Sequence, residues 1–530
     1  MTAEGCDYLI VGAGPAGCVL ANRLSEDPAN QVILLEAGPR DWHPFIHIPA
    51  TCLFLQHDRR FNWMYMSEPE PGLDGRRIKY SQGKVLGGSS SINGMLHVRG
   101  QPAEYDRWAD EGCTGWRYAD VLPYFKRSES FQGGEDAYRG RSGPLGVSRQ
   151  DNPHPLTLAF VEAAASLGFP VNEDMNGPRR EGVALFQQNR RGRFRANPAQ
   201  TYLRQARKRR NLRIISESLC RDVEFEQGRA CAVRYLQRGQ ERRIVVRREV
   251  VISAGTIGSP AILQRSGIGA AERLQALGIP VVRDAPAVGQ NLQDHFLVRV
   301  AHRVQGIATL NERTRGLTAA WEAMNFAVKG RGLLTAGAGA AALFFKATPD
   351  SAWVDAQLSF APGSFAAPGE LEKEPGMTVG AWPSYPASRG AVHIRSADPC
   401  EPPEIRPNYL SDEADQRNLV AALRMARRLL DSPALARWSH GETIPGSQVE
   451  SDDEILAFAR EKGISGLHLV GTCAMGDGPD SVVDARLRVR GVQGLRVVDA
   501  SVMPACPSGN SHAPTVMIGE KAADMILQRQ

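Results

Sequence analysis

Two short apolar runs near the start of the chain, residues 8–11 and 31–35, predict strands that are buried on both faces of a sheet. Between them lies the sequence GAGPAG at residues 12–17, followed by a helical pattern, and the second run ends at Glu36. Glycines at this spacing let the backbone turn sharply and approach a pyrophosphate that rests on the N-terminus of the helix. Glu36 stands where an acid takes ribose hydroxyls, and it would repel the 2′-phosphate of NADP. The segment therefore predicts a Rossmann unit that binds FAD or NAD.

Strand patterns return in the middle of the chain. Residues 211–233 carry two strand-like runs around Gln227-Gly228, which is typical of a hairpin. Residues 243–253 predict a strand, and a short helix is expected to follow with Pro260 in its first turn.

Beyond residue 300 the pattern indicates a second, sheet-containing domain that covers the cofactor. Residues 388–396 predict a strand, and residues 411–430 predict an amphipathic helix opened by Ser411 or Asp412. Glycine- and alanine-rich stretches near 330–342 and 361–369 are expected to form loops around a cavity.

Composition narrows the class of protein. The 530 residues suffice for two or three packed domains, and a hydrophobic content of 42% is ordinary for a soluble globular protein. The nine cysteines include no CxxC pair, and residues 1–7 lack a basic signal region. We therefore expect a cytoplasmic protein without a disulfide framework, a metal site or a signal peptide.

Charge and hydropathy bear on the partners. No apolar stretch is long enough to predict a transmembrane helix, although peripheral contact with the inner face of the membrane stays open. The net charge is +5, and residues 190–210 form the only dense basic segment. We interpret that segment as a solvated loop and helix face, with an anionic membrane or substrate surface as the alternative. Binding of nucleic acid is not expected.

Three further segments carry candidate chemistry. Residues 83–95 contain so many small residues that main chain could lie against a flat or phosphorylated ligand. A strand at 495–498 ends at Asp499-Ala500, which could aim an acid and a backbone N–H at a cofactor. His468 and His512 both stand among small residues, and a final helix begins near His512 with its positive dipole end towards the same site. This context favours functional histidines over histidines that only pack.

Residues 83–95, 255–269 and 468–515 together resemble signatures of the glucose–methanol–choline (GMC) oxidoreductases, and the likeness extends over about residues 5–527. The patterns GGSSSIN and APTVMI are most similar to the choline-dehydrogenase-like and alcohol-dehydrogenase branch. The resemblance implies an α/β fold with a Rossmann-like FAD-binding domain and a discontinuous, sheet-containing α+β substrate domain. The implied FAD-binding parts are residues 1–155, 201–300 and 456–530, and the implied substrate-binding parts are residues 156–200 and 301–455.

Carried over position by position, the resemblance assigns roles to residues of this chain. His468 would be the catalytic base, and His512 would hold the alcohol oxygen beside the flavin. The implied cofactor-binding residues are Gly12, Gly14, Pro15, Ala16, Gly17, Glu36, Ala37, Gly88, Asn93, Gly94, Met95, Cys220, Asp499, Ala500 and His512. Of these, the glycines at 12, 14 and 17 would hold the pyrophosphate, and Cys220 would mark the backbone near the adenine.

The family implies oxidation of a primary alcohol to the aldehyde, with hydride transfer to flavin N5 while His468 takes the hydroxyl proton. We expect electrons to pass to a quinone or another carrier. An oxidase that uses oxygen and a hydroxynitrile lyase that retains FAD are the alternatives on the same scaffold. A non-enzymatic FAD-binding protein would leave His468 and His512 without a role. An NAD-dependent dehydrogenase would leave the segments 83–95 and 499–515 without a role.

Four positions depart from relatives. Ile92 stands where some members carry a histidine bonded covalently to FAD, so we expect non-covalent FAD. His512 stands where choline-type members tend to have asparagine, and no evident cage for a quaternary ammonium is present, which weakens choline as the substrate. His97 replaces a usual aromatic residue and Leu469 a common proline, and the sequence gives no physical reason for either change.

Overall fold

Two large sheets, each built from strands that lie far apart in the chain, dominate the computed structural model, which describes residues 5–528. One sheet is mainly parallel and carries the glycine turn, and the other is antiparallel. This arrangement confirms the predicted fold class. The domain boundaries given above stay predictions.

The first sheet is built around the buried apolar runs at the start of the chain. Its strands, in spatial order, are Leu212–Ile215, Val32–Leu35, Gly5–Val11, Gln240–Ile252, Arg229–Gln237 and Ser218–Glu226, with Leu495–Val497 also paired to Gln240–Ile252. Every residue of Val32–Leu35 is buried, as a continuous apolar run predicts for a strand covered on both faces.

The predicted hairpin turns at Gln227-Gly228, where both residues have positive φ (48° and 75°). This confirms the turn. The run that begins at residue 211 is a separate element, because Leu212–Ile215 pairs in parallel with Val32–Leu35 at the edge of the sheet.

Two helices from opposite ends of the chain pack together on the first sheet: Pro15–Leu24, which follows the glycine turn, and His512–Leu527. Gly519 permits the close approach, since a Cβ there would lie 3.0 Å from Ala16 Cα. The buried Glu520 accepts hydrogen bonds from Arg23 at this interface, which fixes the second helix against the first.

The second sheet is antiparallel, with strands in the order Ser439–Ile444, Phe296–Val304, Gly376–Pro383, Ala356–Ala361, Ala341–Phe345 and Gly182–Leu185, and with Ile464–Ser465 also paired to Phe296–Val304. Alternate residues such as Val298, Val300 and Val379 are buried in an apolar core with the helices Glu413–Leu430 and Pro155–Ser166. The opposite face of this sheet looks towards the first sheet.

The remaining helices and strands connect these layers. The helices are Pro44–His47, Cys52–Leu55, Pro102–Asp110, Tyr118–Ser128, Arg204–Ala206, Gly255–Arg265, Ala271–Ala276, Leu310–Arg313, Gly316–Lys329, Pro433–Ala436 and Asp452–Lys462. The short strand pairs are Tyr65–Met66 with Lys79–Tyr80, Glu129–Phe131 with Leu145–Val147, Arg190–Arg191 with Phe194–Arg195, Ile268–Gly269 with Arg283–Asp284, Phe365–Ala367 with Glu370–Leu371, and Ala391–His393 with Glu404–Arg406.

Two predicted elements beyond residue 380 are confirmed in shortened form. The strand expected at 388–396 spans Ala391–His393. The amphipathic helix spans Glu413–Leu430, and Asp412 is its N-cap, since its side chain accepts a hydrogen bond from the backbone N–H of Ala414.

The position predicted for Pro260 is wrong. The helix Gly255–Arg265 begins earlier, so Pro260 lies in its second turn. A proline there cannot bond to the carbonyl of Thr256, four residues before it. The hydroxyl of Thr472 donates to that carbonyl instead, at 2.6 Å, which explains how the helix tolerates the proline.

The interpretation of residues 190–210 as a solvated face is also wrong for two of its cations. Arg190 and Arg195 are 4% and 3% exposed. Arg190 donates to carbonyl oxygens and to Asp151, and Arg195 donates to the carbonyls of Ile46 and Ser90. Charge density in the sequence could not distinguish these buried guanidinium groups from solvated ones.

Within residues 5–528, no helix is long and apolar enough to cross a bilayer. The same part of the chain contains no group of three or more His, Cys, Asp or Glu side chains placed to hold a metal ion. All nine cysteines are free thiols.

Candidate functional site

A cavity of about 720 Å³ lies between the two sheets. Its volume falls in the range of roughly 300–1,000 Å³ that is usual for small-molecule sites. One wall consists of the glycine turn and the small residues near 83–95, and the other consists of the antiparallel sheet. Ala338, Ala361 and Gly369 line it, which confirms that the glycine- and alanine-rich stretches surround a cavity.

The predicted cofactor residues converge on this cavity. Those that line it are Gly12, Gly14, Pro15, Ala16, Glu36, Ala37, Gly88, Asn93, Gly94, Met95, Cys220, Asp499, Ala500 and His512. Gly17 lies beneath the turn, where a Cβ would stand 2.0 Å from the carbonyl oxygen of Gly12.

The glycine turn cannot accommodate side chains at several points. Gly12 has φ 103°, and a Cβ there would lie 2.4 Å from the carbonyl oxygen of Ser253. Gly88 approaches the turn from the other side, and its Cβ would lie 2.8 Å from Gly14 Cα. Exposed backbone thus lines this end of the cavity at the N-terminus of the helix Pro15–Leu24, an arrangement that suits a pyrophosphate.

Glu36 is buried and already bonded to the backbone. Its two carboxylate oxygens accept hydrogen bonds from the N–H groups of Ala13 and Gly38, at 2.9 and 2.8 Å. Burial raises the pKa of Glu36 to about 7. A carboxylate oxygen has two lone pairs, so each oxygen retains capacity to accept a ribose hydroxyl while it holds the glycine turn in shape.

Asp499 differs from its predicted contacts. Its carboxylate accepts hydrogen bonds from the backbone N–H groups of Gly255 and Ser501 and from the hydroxyls of Ser259 and Ser501. The side chain therefore fastens the end of the strand Leu495–Val497 to the helix Gly255–Arg265. Asp499 lines the cavity mainly as a fixed part of its wall, with Ala500 beside it.

Asn93 in the small-residue segment is held by a buried cation. Arg195 donates to both the side-chain and the backbone oxygen of Asn93, each at 2.8 Å, and burial lowers the pKa of Arg195 to about 10. The Asn93 side chain also accepts the backbone N–H of Met95, which has a positive φ of 63°. Arg195 thus fixes the conformation of the cavity wall at residues 93–95.

His468 takes part in a chain of hydrogen bonds that fixes its tautomer. His295 Nε2 lies 2.9 Å from the carbonyl oxygen of Ser384, which can only accept, so Nε2 carries the proton. His295 Nδ1 therefore accepts, at 2.9 Å, from His468 Nδ1. His468 Nε2 is left unprotonated and accepts from the Asn510 amide at 2.7 Å. His468 is therefore a neutral imidazole whose basic nitrogen, Nε2, lies at the cavity.

Burial keeps these imidazoles neutral. Burial, with a smaller effect of His295, holds the pKa of His468 well below its usual value of 6.5. Burial lowers the pKa of His295 to about 4. For His512 burial, together with His97 and Arg195, lowers the pKa to about 3. All three rings are thus available as hydrogen-bond acceptors at neutral pH.

Two polar groups that line the cavity with His468 have unsatisfied atoms. His512 is 8% exposed, and neither of its ring nitrogens has a hydrogen-bond partner in the described chain. Asn510 Oδ1 is also buried and has no hydrogen-bond partner among the described residues. Buried polar atoms without partners are costly, and both residues line the cavity, so a polar ligand group is expected here.

The buried Asp294 positions His468 through its backbone. Its Oδ1 accepts the N–H of His468 at 2.8 Å, and its Oδ2 accepts from the hydroxyl groups of Ser465 and Tyr409. Burial raises the pKa of Asp294 to about 6. The loop that carries His468 is therefore tied directly to the residue before His295.

The structure also gives reasons for the two unexplained departures. His97 is fully buried, with Nε2 3.1 Å from a carboxylate oxygen of Glu129 and Nδ1 bonded to the Asn189 amide, which no phenyl ring could reproduce. Leu469 places an apolar side chain larger than that of proline in the core of the antiparallel sheet.

Sequence reasoning placed His468 and His512 in the same cavity but missed the residues that orient the first of them. Asp294 and His295 end a polar run at 291–295 that stands directly before the strand Phe296–Val304, and this was the available signal. Asn510 lies within the segment 468–515 but had no assigned role. Arg195 gave no signal that distinguished it from its basic neighbours.

Comparison with known proteins identifies relatives over nearly the whole chain. The family profile described as "GMC oxidoreductase" matches residues 6–297 and 386–519. The chain is 42% identical to "Choline dehydrogenase, mitochondrial" of Homo sapiens, over 98% of this chain and 89% of the relative. It is 43% identical to "Oxygen-dependent choline dehydrogenase" of Sinorhizobium medicae (strain WSM419), over 99% and 96%. Among solved structures, pyridoxine 4-oxidase from Mesorbium loti is similar with a TM-score of 0.89 and 31% identity over 98% of each chain.

Proposed function

The chain belongs to the GMC oxidoreductase family, an FAD-dependent group that acts on CH–OH donors, and we propose that it oxidises a primary alcohol to the aldehyde with His468 as the general base. The observation that carries this proposal is the hydrogen-bond chain from Ser384 through His295, which leaves His468 Nε2 unprotonated at the cavity.

The glycine cradle fits FAD. Backbone at Gly12, Gly14 and Gly88 would hold the pyrophosphate, Glu36 the adenosine ribose, and the wall at residues 93–95 the flavin ring. Bound FAD supplies a hydride acceptor for the carbon of the alcohol. The alkyl side chain of Ile92 is packed with Ile46 and Val85, which supports a non-covalent cofactor.

His468 and His512 have different roles towards the alcohol: one takes its proton and the other orients it. A substrate hydroxyl that replaces the Asn510 N–H donates to His468 Nε2, which then takes its proton. His512 binds the same oxygen through one of its unsatisfied nitrogens and so orients the reacting carbon. Closure of the cavity between the two sheets limits access of water.

Choline is disfavoured as the substrate by the charges in the cavity. The acidic side chains that line it are Glu36, Glu401 and Asp499, none of which belongs to the antiparallel sheet beside His468. A quaternary ammonium would therefore lack a carboxylate partner at the substrate end and would depend on the aromatic rings of Trp382 and Phe365.

A quinone in an anionic membrane is the proposed electron acceptor. The helix Gly316–Lys329 exposes an apolar stripe, with exposed fractions of 91% for Leu317, 52% for Trp321, 57% for Met324 and 74% for Val328. Exposed cations flank the stripe at Arg315, Lys329 and Arg331. Such a helix is typical of interfacial membrane contact, which would bring the cavity close to lipid-soluble quinones. The helix contacts the short turn formed by residues 333–335. That turn contacts residues 49–51, which stand close in sequence to the cavity-lining residue Leu53, so the helix lies near the rim of the cavity.

The decisive test of the base is anaerobic flavin bleaching by a panel of alcohols. The variant His468→Gln should retain FAD and bleach roughly 10²–10⁴-fold more slowly. The control His440→Gln changes a histidine on an exposed strand position and should bleach at the unmodified rate. Full bleaching speed in His468→Gln would refute the assignment, and bleaching by no alcohol at all would favour the lyase.

The acceptor is tested on the reduced enzyme. Reoxidation by a soluble quinone should be faster than reoxidation by air, and the reverse order would make the protein an oxidase.

Vesicles that contain anionic lipid should bind the protein, and replacing Leu317 and Trp321 by serine should abolish that binding. Equal binding by the serine variant would remove the membrane surface from the proposal.

A further inference from the structure

The cavity-facing side of the antiparallel sheet carries a cation that pairs directly with no carboxylate of the described residues. Arg299 lies on the strand Phe296–Val304 and lines the cavity. Its one hydrogen bond to the protein goes to the carbonyl oxygen of Phe365 at 3.1 Å. Glu372 acts on Arg299 only at longer range, because its carboxylate pairs directly with Arg303. Within residues 5–528, Arg299 forms no ion pair.

Sheet register places two more donors on the same face. Arg299 stands opposite Gly380, and residues opposite each other in an antiparallel pair point to the same side. Thr378 and Trp382 are two positions away on either side of Gly380, so they share that face. Both line the cavity. A Cβ at Gly380 would lie 3.5 Å from the Trp382 ring, so the indole packs against this glycine.

Thr378 and Trp382 are unsatisfied. Each is 5% exposed, and neither the Thr378 hydroxyl nor the Trp382 indole nitrogen has a hydrogen-bond partner among the described residues. A guanidinium, a hydroxyl and an indole N–H all donate hydrogen bonds, and none of them brings a negative charge. Three unsatisfied or incompletely satisfied donors on one wall indicate that an acceptor belongs there.

We propose that the substrate is a hydroxy acid, whose carboxylate is bound by Arg299, Thr378 and Trp382 while its hydroxyl lies at His468. This inference rests on the proposed alcohol oxidation and names the chemical class of the alcohol. The planar guanidinium matches a carboxylate, and a charge-assisted hydrogen bond is about twice as strong as a neutral one.

The positions of His468 and Arg299 also bear on the part of the substrate that joins its hydroxyl to its carboxylate. Arg299 follows His295, the partner of His468, by four residues, or about 13 Å at roughly 3.3 Å per strand residue. Leu297 lies between them on the same face and lines the cavity. A substrate that reaches both ends therefore carries an apolar spacer that passes Leu297, and its hydroxyl is terminal because the proposed alcohol is primary.

The test compares matched ligands. Anaerobic flavin bleaching by ω-hydroxyhexanoate should be faster at low concentration than bleaching by its methyl ester. Hexanoate, which has no hydroxyl to oxidise, should bind more tightly than hexanamide, as measured by calorimetry on the holoenzyme. Equal bleaching rates for the acid and its ester, together with equal affinities for hexanoate and hexanamide, would overturn the inference without the use of any variant.

Variants locate the effect. Arg299→Met should weaken hexanoate binding by roughly 10- to 100-fold, since a hydrogen bond to a charged group is lost, and Arg299→Lys should restore part of it. Thr378→Val should weaken it by a smaller factor. The control Arg417→Met removes an equal charge from the exposed face of Glu413–Leu430 and should leave hexanoate binding unchanged. Unweakened binding in Arg299→Met would refute the site.

These outcomes separate the two proposals. Arg299-dependent hexanoate binding without bleaching by any alcohol would refute alcohol oxidation and leave the anion site intact. Bleaching by neutral alcohols with no preference for the acid would refute the anion site and leave alcohol oxidation intact.

Discussion

Replacing His295 by phenylalanine removes both links that fix the tautomer of His468 while it keeps a ring of similar size. The variant deletes the acceptor for His468 Nδ1–H and the donor to the Ser384 carbonyl, both at 2.9 Å and buried. The tautomer of His468 that carries its proton on Nε2 then becomes the more favourable one. Asn510 Oδ1, which lacks a partner, can accept this N–H after the amide rotates. His468 would face the cavity as a donor instead of a base.

The size of the effect follows from the lost hydrogen bond. A buried donor left without its acceptor costs about 1–3 kcal/mol. At about 1.4 kcal/mol for each factor of ten, the population of the base-competent tautomer falls by roughly 5- to 150-fold. The limiting rate of anaerobic flavin reduction should fall by the same factor. FAD content should stay unchanged, since His295 does not line the cavity.

Stopped-flow bleaching of His295→Phe and His295→Gln measures this directly. A glutamine amide can accept from His468 and donate to Ser384, so His295→Gln should recover most of the lost rate. His302→Phe removes another buried histidine, on the strand Phe296–Val304 that follows His295 and outside the cavity, and serves as the control for altered packing. Reduction by His295→Phe at the unmodified rate, or a glutamine variant as slow as the phenylalanine variant, would refute the tautomer argument.

Three further predictions use other parts of the site. Acid precipitation should release the yellow flavin into the supernatant because Ile92 cannot form a covalent link, and colour that stays in the pellet would contradict this. Gly17→Ala should yield protein without FAD, because its Cβ would stand 2.0 Å from the Gly12 carbonyl oxygen; an absorbance spectrum of the purified variant with a full flavin band would disprove the clash. The limiting reduction rate should stay flat as pH falls through 6.5, because the pKa of His468 is lowered and its base form therefore persists in acid; a decline centred near 6.5 would show an unperturbed base.

Local patterns in the sequence predicted the parts of the fold that depend on neighbouring residues. The glycine turn with Glu36, the Gln227-Gly228 hairpin and the cap at Asp412 each depend on a few adjacent residues, and each is present. The antiparallel sheet was expected only as a region, because some of its pairings, such as Gly182–Leu185 with Ala341–Phe345 and Phe296–Val304 with Ser439–Ile444, join strands more than a hundred residues apart, and register leaves no local trace.

The same distinction explains what was missed at the site. His468 and His512 were recognised because small residues surround them in the sequence. His295, Arg195 and Arg299 acquire their roles from residues far away, such as Ser384 and Phe365, which only the tertiary structure brings near. Burial was equally hidden, since Arg195 has the same local composition as its solvated neighbours.

The interleaving of the two sheets has a consequence for how the protein is made. The strand Leu495–Val497 joins the first sheet beside Gln240–Ile252, and the helix His512–Leu527 packs against Pro15–Leu24 beneath the glycine turn. Translation proceeds from the N-terminus, so the glycine turn emerges from the ribosome long before the segments that cover it. The face of the helix Pro15–Leu24 that contacts His512–Leu527 must therefore remain without this partner until synthesis is nearly finished. Cofactor capture thus becomes a late event, and chaperone protection or a supply of flavin at that moment would govern how much active enzyme a cell obtains.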